Sequence, residues 1–136
     1  MASSDALPGP RRPRPLSPHL SIYRPTMTMA MSIAHRISGV ALYVGVLLLA
    51  WFLIAASADA TTFATFSDFI GSFIGQIVLF LATWALFHHL IGGIRHIIWE
   101  AGYGLDAPLR DQMAWATLIG GFALTVLTWI IGYAVW

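Results

Sequence analysis

Three long apolar runs dominate the chain. The first opens after Thr26 and continues to about Ala58, and from Ile37 onward it carries no charged residue. The second runs from about Phe69 to Trp99 and the third from about Gln112 to Trp136. A helix rises about 1.5 Å per residue, so roughly 20 apolar residues cross the hydrocarbon layer of a bilayer. All three runs exceed that length and predict three transmembrane helices. Between the first two, Asp59 to Asp68 holds Thr61, Thr62, Thr65 and two carboxylates, which reads as a polar connection. Ahead of the first span, residues 1–25 contain six of the seven prolines and four arginines. Proline fixes φ and removes an amide donor, so this segment reads as an extended arm. The expected fold is an all-α membrane protein, with a proline- and arginine-rich arm at 1–25 and a three-helix transmembrane domain at 26–136.

Composition places the chain in the membrane class, because 58% of its 136 residues are apolar and only 10% are charged. Cysteine is absent, which excludes disulfides, thiolate metal sites and iron–sulfur clusters ligated by this chain. A net charge of +1 gives no basic surface for nucleic acid. The arginines carry topology instead. Arg11, Arg12, Arg14 and Arg24 precede the first span, Arg95 and Arg110 flank the connection between spans two and three, and the other connection has no basic residue. By the positive-inside rule the N-terminus and the loop near 100–111 face the cytoplasm or the mitochondrial matrix. The arm lacks the apolar core of a secretory signal and is too proline-rich for an amphipathic transit helix, so a bacterial inner membrane is expected.

Polar residues within the spans point to chemistry. The stretch from His88 to Glu100 holds three histidines, an arginine and a glycine pair. A charged group at the centre of a span costs about 2.5–3.5 kcal/mol on insertion scales, so such groups mark a cofactor, an ion path or a partner. On a helix His89, Gly92, Gly93 and His96 share one face, which offers nitrogen ligands beside a groove that no side chain fills. A flat cofactor fits there, and haem held by an axial histidine is the leading candidate. His88 lies about 100° away with Gly92 and Arg95 and is expected as a satisfied residue at a helix interface rather than in the same site. Ser32, His35, Arg36 and Gly39 form a second polar stripe in span one. Arg36 falls roughly 15 Å along its helix from Thr26, and His89 roughly 16 Å from Glu100. Counted from the same side of the membrane, these depths let the two stripes meet. Gly71 and Gly75 match a small-residue packing pattern, and Trp99, Trp115 and Trp136 read as interface anchors.

Three segments together resemble the cytochrome b membrane-anchor subunit of succinate dehydrogenase, respiratory complex II. They are Arg14-Pro15-Leu16-Ser17-Pro18-His19-Leu20-Ser21-Ile22-Tyr23, then Ser32-Ile33-Ala34-His35-Arg36-Ile37-Ser38-Gly39, then His89 followed by Gly93-Ile94-Arg95-His96. The resemblance implies a subunit that pairs with a second membrane anchor and carries a flavoprotein and an iron–sulfur subunit. It implies that His89 is an axial ligand of haem b, with the other axial histidine on the partner anchor. It further implies that Ser32 and Arg36 serve a ubiquinone site and that His35 lies near the haem propionates. Arg36 and His96 are then expected beside the haem as well, and the remaining surface faces membrane lipid. His88 stands where the family usually has tyrosine. Competing readings are a haem-free structural anchor, a fumarate reductase anchor, and a transporter subunit with a histidine proton relay.

Overall fold

The computed structural model describes residues 15–135. The arm residues 1–14 and Trp136 lie outside them. Within the described part of the arm, His19–Ile22 forms a single helical turn, α1, where wholly extended structure was expected. Ser21 Oγ closes that turn on the Pro18 carbonyl at 2.9 Å.

Thr26 starts the first span, its hydroxyl accepting from the amide of Met29 at 3.4 Å. The helix that follows, α2 (Met27–Ser57), has 31 residues, about 46 Å at the helical rise and longer than a hydrocarbon layer of about 30 Å. The segment expected as a polar connection is itself a helix, α3 (Ala60–Gly71). Its start is set by Asp59, whose carboxylate accepts from the amides of Thr61 at 2.9 Å and Thr62 at 3.0 Å. The Thr62 hydroxyl adds a third bond at 2.8 Å. An aspartate that satisfies orphan amides of a first turn is a strong helix start. The aromatic side chains behind it supply the rest, since Phe66 is buried edge-on against Trp51, with centroids 5.1 Å apart.

Because α3 absorbs Phe69 to Gly71, the second span begins later than expected, as α4 (Phe73–Glu100). Ser72 makes the corner by accepting from Gly75 N at 3.1 Å while donating to Phe69 O at 2.6 Å. Gly71 and Gly75 therefore belong to two helices and are no single-helix packing motif. A side chain at Gly75 would collide with the Phe69 carbonyl and the Ile70 backbone, whereas Gly71 faces open space. The third span, α5 (Ala107–Val135), opens five residues earlier than expected. Gly102 and Gly104, at φ of 84° and 73°, turn the chain between α4 and α5 in a conformation that glycine adopts without strain.

Helix α4 is central, packing on α2, α3 and α5, with its largest interface on α5. The contact faces are small or polar. Ala85, His88, Gly92 and Arg95 are buried on α4, and Ala114, Thr117, Gly121 and Thr125 on α5. Large apolar side chains such as Val46, Leu53, Leu81 and Ile130 point outward. Lipid is as apolar as leucine, so nothing drives leucine inward, and small residues that let backbones approach decide the seams. The threonine hydroxyls there are satisfied within their own helix, Thr117 on the Met113 carbonyl and Thr125 on that of Gly121, each at 2.8 Å. The fold is all-helical among the described residues, with three helices long and apolar enough to cross a membrane.

Two outcomes follow. Gly75→Ala forces the α3–α4 corner apart and is expected to destabilise the protein by about 1–3 kcal/mol, read as a lower unfolding midpoint in detergent. The Thr62 amide, first among its hydrogen bonds, holds the Asp59 carboxyl below the usual carboxylate range. The cap's contribution is thus present above the ordinary carboxylate pKa and lost as pH falls through the lower folded value. Protection of the first-turn amides of α3, taken as exchange relative to the intrinsic rate at each pH, should fall on acidification, and in Asp59→Asn it should stay level with pH.

Candidate functional site

The two polar stripes meet. His35 on α2 and His89 on α4 stack with ring centroids 3.9 Å apart and planes 7° apart. His96, two turns along α4 from His89, tilts toward the same His35 ring at 5.1 Å and stands edge-on to Trp99 at 5.4 Å. Glycine makes this approach possible. A methyl group at Gly92 would lie 2.5 Å from His35 Nδ1, and one at Gly39 would lie 3.1 Å from His89 Cε1. The groove expected over both Gly92 and Gly93 is accordingly half filled, because the His35 ring covers Gly92. Only Gly93 faces open space.

The hydrogen bonds of His89 define its tautomer. Nδ1 lies 3.1 Å from the backbone carbonyl of His35 and 3.1 Å from Ser38 Oγ. A carbonyl only accepts, so Nδ1 carries the proton. The Ser38 hydroxyl donates its own hydrogen to that same carbonyl at 2.8 Å, leaving its oxygen to accept from His89. With Nδ1 protonated, Nε2 holds a lone pair. His89 can therefore act as a single nitrogen ligand, and the open space over Gly93 on its face leaves room for a flat group. The donor chemistry and the space fit a haem.

The other expected site residues divide. Ser32 is half-buried and Arg36 is exposed, one turn apart on α2, so both can reach a group outside this chain. His35 lines the contact with α4, and its Nδ1 is buried without a hydrogen-bond partner. His88 is separate from the cluster, as its position in the helical repeat requires. It is fully buried against Gly121 of α5, stacked on Trp84 at 5.1 Å, and neither ring nitrogen has a partner among the described residues. Arg95 is buried on that same face with its guanidinium 5.0 Å from the Trp99 ring centroid. Trp99 also donates to the Gly104 carbonyl at 3.1 Å, so it closes the α4–α5 turn. Among the described residues, no three histidine, aspartate or glutamate side chains form a metal-binding group. Sequence reasoning passed over Ser38. Its one signal is its place three residues after His35, beside Gly39 on the face that meets α4.

Three apolar helices, with a histidine cluster between two of them, make this a multi-pass membrane protein. Residues 10–128 match the succinate dehydrogenase/fumarate reductase transmembrane subunit family, and the chain belongs to that family. It is 41% identical over 118 residues to the succinate dehydrogenase cytochrome b556 subunit of Paracoccus denitrificans, covering 87% of this chain and 91% of that one. Identity to the cytochrome b556 subunit of Rickettsia conorii is 38%, over 86% of this chain and 91% of the relative. A mitochondrial succinate dehydrogenase cytochrome b560 subunit of Sus scrofa is 39% identical over 85% of this chain and 67% of its own length.

Gly92→Ala tests the glycine contact. The added methyl group has no room beside a His35 ring held from the other side by His89. The ring should swing off its stack by about 1 Å or more, visible in a structure of the variant, with a stability loss of about 1–3 kcal/mol.

Proposed function

We propose that this chain is the cytochrome b membrane anchor of a succinate:quinone oxidoreductase. His89 would hold one haem b through Nε2, and a second anchor subunit would supply another histidine to it. The observation that carries this reading is the 3.1 Å approach of His89 Nδ1 to the His35 carbonyl, a pairing that calls for the proton on Nδ1 and leaves a lone pair on Nε2 beside the open face at Gly93. The names of the relatives, all cytochrome b subunits of succinate dehydrogenase, support the choice of cofactor. When bound, haem b supplies a one-electron store.

The chain's own residues do the rest. Imidazole from His89 would fix the cofactor to α4, while His35, Arg36 and His96 would offer nitrogen donors to its carboxylates. Ser32 and Arg36, one turn apart, donate to the carbonyl oxygen of a ubiquinone that takes electrons from an iron–sulfur subunit. A flavoprotein subunit on the same side oxidises succinate, so this chain need not touch that substrate. With the arm and the 100–111 loop cytoplasmic, the polar cluster lies toward the cytoplasmic face of a bacterial inner membrane, where protons for quinone reduction are available. Residues 1–25 then act as an arm on the soluble partners and 26–136 as the membrane domain.

The test is a succinate-reduced minus oxidised visible spectrum of the purified complex. A b-type band is expected, and it should be lost in His89→Ala. A complex that reduces quinone without a b-type band would leave a haem-free anchor and overturn the ligand assignment. In Arg36→Leu, quinone reduction should fall about 10- to 100-fold, the equivalent of a charge-assisted hydrogen bond of about 1.5–3 kcal/mol. Succinate oxidation by a dye that accepts electrons from the soluble subunits should be unchanged.

A further inference from the structure

Ser38 sits at the crossing of α2 and α4, 2% exposed, one turn beyond His35 in the polar part of the helix. Its hydroxyl does two things at once. It donates to the His35 carbonyl at 2.8 Å and receives from His89 Nδ1 at 3.1 Å, while the same carbonyl also receives from Nδ1 at 3.1 Å. The three groups close a small ring in which one imidazole proton is shared between two oxygen acceptors. The reverse arrangement, with Ser38 donating to an unprotonated Nδ1, would set the lone pairs of Nδ1 and the carbonyl against each other at 3.1 Å. The carbonyl thus selects the direction of every hydrogen bond in the ring.

We infer that Ser38 is a positioning residue that sets the electron-donating strength of the His89 imidazole toward the iron. This rests on the haem reading above. A ligand imidazole whose other nitrogen donates a hydrogen bond becomes more basic, because the acceptor draws the proton and leaves charge in the ring. A more basic ligand favours the oxidised metal. Two acceptors do this more strongly than one, and Ser38 is the second. The ring also ties the ligand's orientation to α2 rather than to α4 alone, so the plane of the imidazole is fixed by a neighbouring helix. Were Ser38 only filling space, an alanine or cysteine would change stability and leave the electronic state of the haem unaltered.

The experiment is a redox titration and low-temperature electron paramagnetic resonance on the purified complex, for wild type, Ser38→Ala, Ser38→Cys and Ser38→Thr. Wild type is measured first, and the absence of a b-type band there overturns the haem reading and this inference together. With haem present, the midpoint should shift upward in Ser38→Ala and Ser38→Cys, with displaced low-spin g-values, and return toward wild type in Ser38→Thr, which restores a hydroxyl. If Ser38→Ala fails to assemble, the cysteine variant carries the reading, since it keeps the volume and weakens the acceptor. Midpoint and g-values equal to wild type in Ser38→Ala or, failing assembly, Ser38→Cys overturn the inference and leave the haem reading intact.

Discussion

The contact between α2 and α4 at His35, Ser38 and His89 is the constraint that organises the rest. In hydrocarbon an imidazole with an unmet N–H loses a hydrogen bond that water cannot replace. His89 must therefore find an acceptor inside the protein, and it finds the His35 backbone carbonyl together with Ser38 Oγ. A helix carbonyl is normally occupied by its own ladder. His35 O is reachable from α4 only if the helices come close, and that closeness is set by Gly39 and Gly92, which each face a histidine ring of the other helix. One polar requirement thus dictates two glycines, a serine and the spacing of two helices. Other polar residues on the two helices, Ser32, Arg36 and His96, fall where that crossing puts them.

Much of this arrangement is legible in the sequence. Span number follows from length and hydropathy, and Thr26 marks the start of the first span by its own side chain. The meeting of the α2 and α4 stripes follows from counting residues from a shared membrane surface, because helical rise converts position into depth. Which residues of each stripe touch is another matter. His35 covering Gly92 requires the rotation of α2 about its axis to within a fraction of a turn, and the 3.6-residue repeat fixes that only loosely over a few turns. Ser38 was passed over for the same reason, since nothing in its type separates it from a serine bonded back to its own helix.

The region from Asp59 to Gly71 teaches a different lesson. Threonines and two carboxylates lower its apolar content enough that it reads as a connection. Its capping chemistry reads otherwise. Asp59 with Thr61 and Thr62 is a helix start, and Phe63, Phe66 and Phe69 recur every three residues toward Trp51 and Phe52 of α2. An amphipathic helix of 12 residues is too short to cross a bilayer. It can lie over the end of α2, with its aromatic face against that helix. Averaging hydropathy over the segment hides a face that periodicity reveals.

Helix α4 serves two interfaces with one repeat. His89 and His96 are seven residues apart and meet His35 of α2; His88 and Arg95 are also seven apart, offset by one position, and His88 packs on Gly121 of α5. The two faces accommodate polar groups by different means. Toward α2, His89 is met by a hydrogen bond. On the other face the means is the aromatic ring four residues away on the same helix, Trp84 for His88 and Trp99 for Arg95. The magnitudes make this workable for Arg95. An arginine at mid-span costs about 2.5–3.5 kcal/mol, and a desolvated cation over an indole recovers about 2 kcal/mol. Arg95 is five residues from the end of α4, about 8 Å by helical rise, and so lies where the cost is already below its mid-span value. A cation near the surface can be left to a ring, whereas the deeper His89 needs the carbonyl that only a neighbouring helix provides.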